Sequence, residues 1–124
     1  MISEALSVIS EELKKLNIAY QFGRWQGEVT YPYFVGEGSA TEFIAENNYQ
    51  EGTCFINGFT RGDWLDLMNE SEKIKHCFAD FRTITNGGNG IAITVAAFSV
   101  IPCEDAELKR IQITLNIKEW SVNI

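Results

Sequence analysis

The sequence predicts an α+β domain in which two amphipathic helices cover one face of a mostly antiparallel sheet. Two stripes of apolar residues at helical spacing predict the helices, and a C-terminal segment with apolar residues at every second position predicts the sheet. Segments of strand pattern joined by short turns favour antiparallel pairing, and only one face of such a sheet needs covering. We predict two layers, five to six strands and the element order α-β-β-β-β-α-β-β.

The clearest strand signal runs from Lys109 to Trp120. Polar residues alternate there with the apolar residues Ile111, Ile113, Leu115 and Ile117. Successive side chains of a strand point to opposite faces, so this pattern buries one face and leaves the other wet. A strand this long and regular is expected inside the sheet, with a partner on each side.

The first third of the chain predicts one helix and two strands. Residues 2–16 carry a helical stripe, and the alternation in 18–22 and 29–35 predicts the strands. Pro32 marks the second of these as an edge or bulged strand, because proline has no N–H to donate to a ladder. The glycine-flanked turn between the strands is expected to expose Trp25.

Residues 36–52 are acidic and contain no Lys or Arg. They predict a projecting β-hairpin or long loop, with a short strand at Phe43–Ile44 and a turn at 46–48. Their glutamates, including Glu37 and Glu42, are candidate calcium ligands. The spacing does not match an EF-hand loop, so a solvated acidic hairpin is the preferred interpretation.

The second half of the chain predicts a strand, a helix and two further strands. The strand covers 53–60, and Thr60 with Asp63 has the spacing of a capping box ahead of a helix over 63–78. The glycine-rich segment 86–90 predicts a turn into a strand over 91–100. It lacks the helix and lysine of a phosphate-binding loop.

Length and composition favour one domain of 124 residues. The formal charge of −7 argues against sequence-independent binding to nucleic acid and against an anionic membrane surface. No apolar run is long enough to cross a bilayer, and the N-terminus has no secretory pattern, so we expect a cytosolic protein. The three cysteines and single histidine predict neither a zinc site nor a disulfide framework.

No catalytic motif is present, so we expect a non-enzymatic protein with no cofactor and no metal. Aromatic residues beside charges and at a predicted sheet edge instead resemble interface residues. The same aromatics are equally compatible with capping the sheet edge or lying under the helices. The candidate subunit or partner interface consists of Trp25, Tyr31, Tyr33, Glu37, Glu42, Arg110 and Trp120.

Three segments also carry a resemblance to a known family. Residues 16–37 (LNIAYQFGRWQGEVTYPYFVGE), 55–64 (FINGFTRGDW) and 106–120 (AELKRIQITLNIKEW) resemble small proteins of prophages and long-tailed phages of Gram-positive bacteria, a family placed with the phage tail terminators. The similarity covers nearly the whole chain. Residues 38–50 and 86–90 match least.

The resemblance implies an architectural function in phage assembly. Tail terminators form a hexameric ring that caps the finished tail tube and then presents a surface to the neck of the head. The implied partners are other copies of the chain, the tail tube protein and a head-neck protein. The implied location is the host cytoplasm during assembly and the virion tail afterwards. Neither a membrane nor a specific nucleic acid sequence is an implied partner.

Three other classes of function stay open at this point. Another head-tail neck or completion subunit would bind the portal side and not the ends of tail tubes. A host-encoded, non-enzymatic protein-binding module would have no tail or capsid genes as neighbours. An unrecognised enzyme would have a concave pocket with convergent polar groups and a titrating residue of perturbed pKa.

Overall fold

The computed structural model describes residues 3–41 and 49–121 and contains two helices and a six-stranded sheet. This confirms the predicted α+β class. The elements in chain order are α1 (Ser3–Lys15), β1 (Tyr20–Phe22), β2 (Tyr33–Thr41), β3 (Tyr49–Thr60), α2 (Trp64–Cys77), β4 (Phe81–Ile84), β5 (Asn89–Ile101) and β6 (Lys109–Ser121).

The strands lie in the order β1-β2-β3-β6-β5-β4. The β1–β2 pair is parallel, and the other four neighbouring pairs are antiparallel. The segment that predicts a central strand is β6, which pairs along its length with β3 on one side and β5 on the other. Its position in the middle of the sheet confirms that prediction.

Alternate residues of the strands join both helices in one buried cluster. From β6 the cluster takes the residues predicted for the buried face, and all four are at most 1% exposed. The helices contribute buried residues such as Ile9 and Leu13 of α1 and Leu67 and Ile74 of α2. We call this the core face of the sheet, and the face that carries Arg110, Gln112 and the other even-numbered residues of β6 the second face.

The helix ends differ from the predicted ones in ways that the contacts explain. The predicted stripe of α1 included Leu16, but the helix ends at Lys15 and Asn17 takes a left-handed φ of 59°, which leaves Leu16 36% exposed. The predicted capping box is also wrong. Asp63 is itself the N-cap of α2 and accepts a hydrogen bond from the Leu65 N–H at 3.1 Å.

The predicted element order is not the observed one. Within the described residues the order is α-β-β-β-α-β-β-β. The sequence did not indicate β4, because its four residues are too few to show a period and it pairs with β5 only through Gly90–Ile93. The predicted strand at Phe43–Ile44 and turn at 46–48 lie outside the described residues.

The second strand also begins later than predicted. Val29 to Pro32 form an irregular segment, and β2 starts after the proline, at Tyr33. β2 is not an edge over Phe34–Gly36, because β1 pairs with it there. The predicted hairpin does form, since β2 and β3 pair from Tyr33↔Phe59 to Thr41↔Glu51.

Candidate interaction surface

Four aromatic rings meet where β2 begins and β3 ends. Tyr33 is central: its ring centroid lies 5.1 Å from that of Trp25, 5.8 Å from that of Tyr31 and 5.2 Å from that of Phe59. Trp25, Tyr33 and Phe59 are half-buried, and Tyr31 is 47% exposed. These rings, together with Arg110, are called the aromatic cluster.

The cluster depends on a loop that is pinned to β1. Gln21 of β1 accepts a hydrogen bond from the Gln26 N–H and donates one to the Gln26 carbonyl, both at 2.9 Å. Gly23 and Gly27 have φ values of 91° and 94°, which suit glycine and close the turn between them. The Trp25 Nε1–H donates to the Glu28 carbonyl at 3.1 Å, so the indole is held against Tyr33.

Two arginines border the rings. The Arg110 guanidinium carbon lies 5.6 Å from the centroid of the Phe59 ring, a cation–π contact. The Arg61 Nη1 atom pairs with the Asp105 carboxylate at 2.7 Å. Burial raises the pKa of Tyr33, as does neighbouring Tyr31, while the charge of Arg61 opposes the shift. Arg61 is therefore electrostatically coupled to the cluster.

Polar groups continue this surface along the second face. Asn57 is 3% exposed, and its Oδ1 atom accepts hydrogen bonds from the Arg110 Nη2 atom at 2.9 Å and the Gln112 Nε2 atom at 3.1 Å. Among the described residues, the buried Nε atom of Arg110 has no hydrogen-bond partner. Asn57 therefore fixes the direction in which the arginine meets the rings.

The structure brings together four of the seven predicted interface residues: Trp25, Tyr31, Tyr33 and Arg110. Glu37 is exposed on β2, opposite Phe55. Trp120 lies at the other end of β6, about 33 Å from Arg110 at about 3.3 Å per residue. It packs against Gly90, where an added Cβ would be 2.5 Å from the indole Cε2 atom. Glu42 lies outside the described residues.

Sequence reasoning missed Phe59, Arg61, Asn57 and Asp105 as parts of this surface. Phe59 and Asn57 share a strand and take alternate positions from the buried Ile56 and Gly58, so the period of β3 places them on the second face. Asp105 lies in the loop between β5 and β6. Its pairing with Arg61 depends on tertiary structure and has no local sequence signal.

A shallow groove separates α1 from β4 and bears on the enzyme alternative. Its volume is about 370 Å³, and Glu4, Glu11 and Thr83 are among the residues lining it. The Glu4 Oε2 atom accepts hydrogen bonds from the Thr85 hydroxyl at 2.7 Å and from Asn89 Nδ2 at 3.0 Å. These bonds fasten the turn between β4 and β5 to α1, which is a structural role.

Glu119 of β6 is 8% exposed and has a perturbed pKa. Burial raises the pKa of its carboxyl group, and the nearby charge of Glu4 adds to the effect. Its Oε1 atom accepts a hydrogen bond from the Ala5 N–H at 3.2 Å, in the first turn of α1, and this bond acts in the opposite direction. Glu119 thus caps the helix from a neighbouring strand.

The comparisons with known proteins assign no family. No family model matches the chain, and no curated protein matches it significantly. Across the described ranges 3–41 and 49–121, no three His, Cys, Asp or Glu side chains gather closely enough to hold a metal ion. No helix within those ranges is long and apolar enough to cross a membrane.

Proposed function

We propose that the chain is a structural protein of the tail-terminator type, which caps a phage tail tube as a ring, ends tube growth and forms the joint to the head. The observation that carries the proposal is the aromatic cluster. Each of the three segments that resemble tail terminators contributes to it: Tyr31 and Tyr33 come from 16–37, Phe59 from 55–64 and Arg110 from 106–120.

The composition of the cluster supports a role in protein association. Tyr, Trp and Arg are the residue types that most often dominate the energy of protein interfaces, because they combine a large apolar area with directed polar groups. A ring of identical subunits joins two different patches of each subunit. The proposal assigns the aromatic cluster and the neighbouring part of β2 to one of these patches, and the protein needs no catalytic activity for this role.

The proposal includes a two-layer arrangement of the subunit. Both helices cover the core face, and the second face is available to neighbouring subunits or to the channel. The acidic hairpin between β2 and β3 then borders the channel through which DNA passes, where negative charge discourages adhesion of phosphate groups. Exposed Glu37 belongs to this hairpin. A ring structure with Glu37 on the outer rim would contradict this placement.

Deletion of the gene from an inducible prophage tests the proposed function and separates it from a neck-subunit role. A tail terminator is needed to stop tube growth, so the lysate should contain full heads and unattached tails whose tubes exceed the normal length. Complementation from a plasmid should restore both tail length and joining. Tails of normal length that fail to join heads would instead assign the protein to the neck.

A further inference from the structure

The two edges of the sheet are incompletely covered. The edge strands β1 and β4 contain only three and four residues. β1 pairs with Phe34–Gly36 of β2, and β4 pairs with Gly90–Ile93 of β5. Among the described residues no strand pairs with the outer side of 37–41 on one edge or of 94–101 on the other. Such unpaired backbone is a template for another strand.

The two uncovered stretches lie at opposite ends of the sheet. The pairing register aligns Phe34 with Gly58, Ile111 and Val100 in one row across β2, β3, β6 and β5. β1 therefore stands at the level of 98–100, which β4 leaves open. The corresponding row through Ile93 of β5 reaches Ala40 of β2, so β4 stands at the level that β1 leaves open. The two edges are complementary in outline.

Exposed apolar side chains lie on both edges, two residues apart in level, because the row of Phe22 reaches Phe98 and the row of Tyr20 reaches Val100. Phe22 of β1 is 45% exposed, and Val100 of β5 is 51% exposed. Both belong to the core face, because Phe22 is level with Gly36 and Val100 pairs with Ile111. Residues 94–101 contain no charged side chain. Natural proteins protect a free edge with charge, proline or a β-bulge. This edge has a bulge at Val95/Ala97, and beyond it residues 97–101 carry neither a charge nor a proline.

We propose that a second copy of the chain docks on this edge, with its β1 entering the gap beside residues 94–101 and its β2 lying beside β4 of the first copy. β2 and β5 run in opposite directions within the sheet, and β1 runs parallel to β2. In a continuous intersubunit sheet β1 would therefore pair antiparallel with β5 of its neighbour. The contact is heterologous, so its repetition around an axis gives a ring.

This contact places Phe22 of one subunit beside Phe98 and Val100 of the next. Phe98 is half-buried, and the Lys75 Nζ atom lies 4.1 Å from its ring centroid on the side of α2. The row of Tyr33, Phe59 and Arg110 reaches Ile101, the last residue of β5, so the aromatic cluster would meet the loop that leaves the neighbour's β5. Closure into a six-fold ring rests on the proposed function, but the edge contact can be measured without a tail tube.

Two variants, each blocking one edge, test the contact. Val100→Lys places a charge on the β5 edge, and Phe22→Lys places one on the β1 edge. Leu65→Lys is the control, because Leu65 is 61% exposed on α2 and belongs to neither edge. Circular dichroism and thermal unfolding establish that each variant is folded. Sedimentation velocity then measures assembly at the highest soluble concentration.

We expect wild type and Leu65→Lys to assemble to the same extent, and each edge variant alone to sediment as a monomer. A mixture of the two edge variants should form a one-to-one dimer and nothing larger, because each protein keeps the edge that the other has lost. A folded wild-type protein that stays monomeric at every concentration would overturn the inference. Edge variants that assemble like wild type would also overturn it, as would dimers of Phe22→Lys in the absence of Val100→Lys.

The outcome can be separated from that of the proposed function. Complementary dimers, in a protein whose gene deletion leaves tails of normal length, would support the edge contact and contradict tail termination. Overlong tails after deletion, combined with monomeric wild-type protein, would support tail termination and contradict the edge contact.

Discussion

Replacing Tyr31 by Ser should separate association from folding. Tyr31 is 47% exposed and its one ring contact within the described residues is with Tyr33, at 5.8 Å. An aromatic pair of this kind contributes about 0.5–1.5 kcal/mol beyond area burial, and exposure places this one at the lower end. We expect Tyr31→Ser to lower the free energy of unfolding by about 1 kcal/mol or less and to abolish rings.

Tyr33→Ser should behave differently, because Tyr33 holds the cluster together. Its ring contacts Trp25, Tyr31 and Phe59, and the stack with Phe59 joins β2 to β3. Loss of these contacts and of a half-buried ring should lower the free energy of unfolding by about 2–4 kcal/mol. A failure of Tyr33→Ser to form rings would therefore carry less information than the same failure in Tyr31→Ser.

Urea unfolding at pH 7 measures the stability of each variant, and electron microscopy in the presence of tail tubes counts rings. Tyr31→Phe keeps the ring and removes the hydroxyl group near Arg61, so it should form rings if the apolar contact dominates. Leu65→Ser controls for loss of an exposed apolar side chain elsewhere. Rings of Tyr31→Ser as frequent as those of wild type would show that the aromatic cluster is not an interface.

Three further predictions concern the folded subunit. Burial raises the pKa of Glu119 above its ordinary 4.5, so the folded state loses stability from this group as pH rises through that raised pKa. The free energy of unfolding of Glu119→Gln minus that of wild type, measured in urea, should therefore be more positive at pH 7 than at pH 4. A difference that does not change with pH would contradict this. Burial raises the pKa of Cys54 to about 11, so iodoacetamide should modify Cys103 well before Cys54 in native protein. Equal modification rates by mass spectrometry would show that the Cys54 thiol is accessible to the reagent. Gly58→Ala should lower the free energy of unfolding by about 1–3 kcal/mol, because the new Cβ would meet the buried Phe34 ring. Gly62→Ala, whose new Cβ would have its nearest contact at 3.5 Å, should lower it far less. Equal losses in urea unfolding would contradict the β2–β3 register.

The parts of the fold that a local period encodes could be predicted. The alternation along β6 indicated both its buried face and its central position, and the stripe in α1 placed Ile9 and Leu13 in the core. β4 could not be predicted, because it contains four residues and depends on its pairing with β5. Pro32 was interpreted as the mark of an edge or bulged strand, which is wrong, because it precedes β2 and β1 pairs with the residues that follow it.

The candidate surface could be predicted only in part, for a similar reason. Trp25, Tyr31, Tyr33 and Arg110 stood out by residue type and by their neighbours in the sequence. Their meeting point depends on the antiparallel register that places Tyr33 opposite Phe59, and Phe59 opposite Arg110. That register is a tertiary property. Trp120 is also a tryptophan, like Trp25, and lies on the second face, like Arg110. The length of β6 nevertheless separates it from the aromatic cluster.

The most direct test of tail termination is cryo-electron microscopy of tail tubes incubated with the purified protein and then supplied with additional tube protein. Tail termination predicts a six-fold ring at one end of each tube and no further growth from that end, whereas tubes without the protein continue to lengthen. Tubes that keep growing at both ends, or protein that leaves the tube ends bare and binds only the portal side of heads, would contradict it.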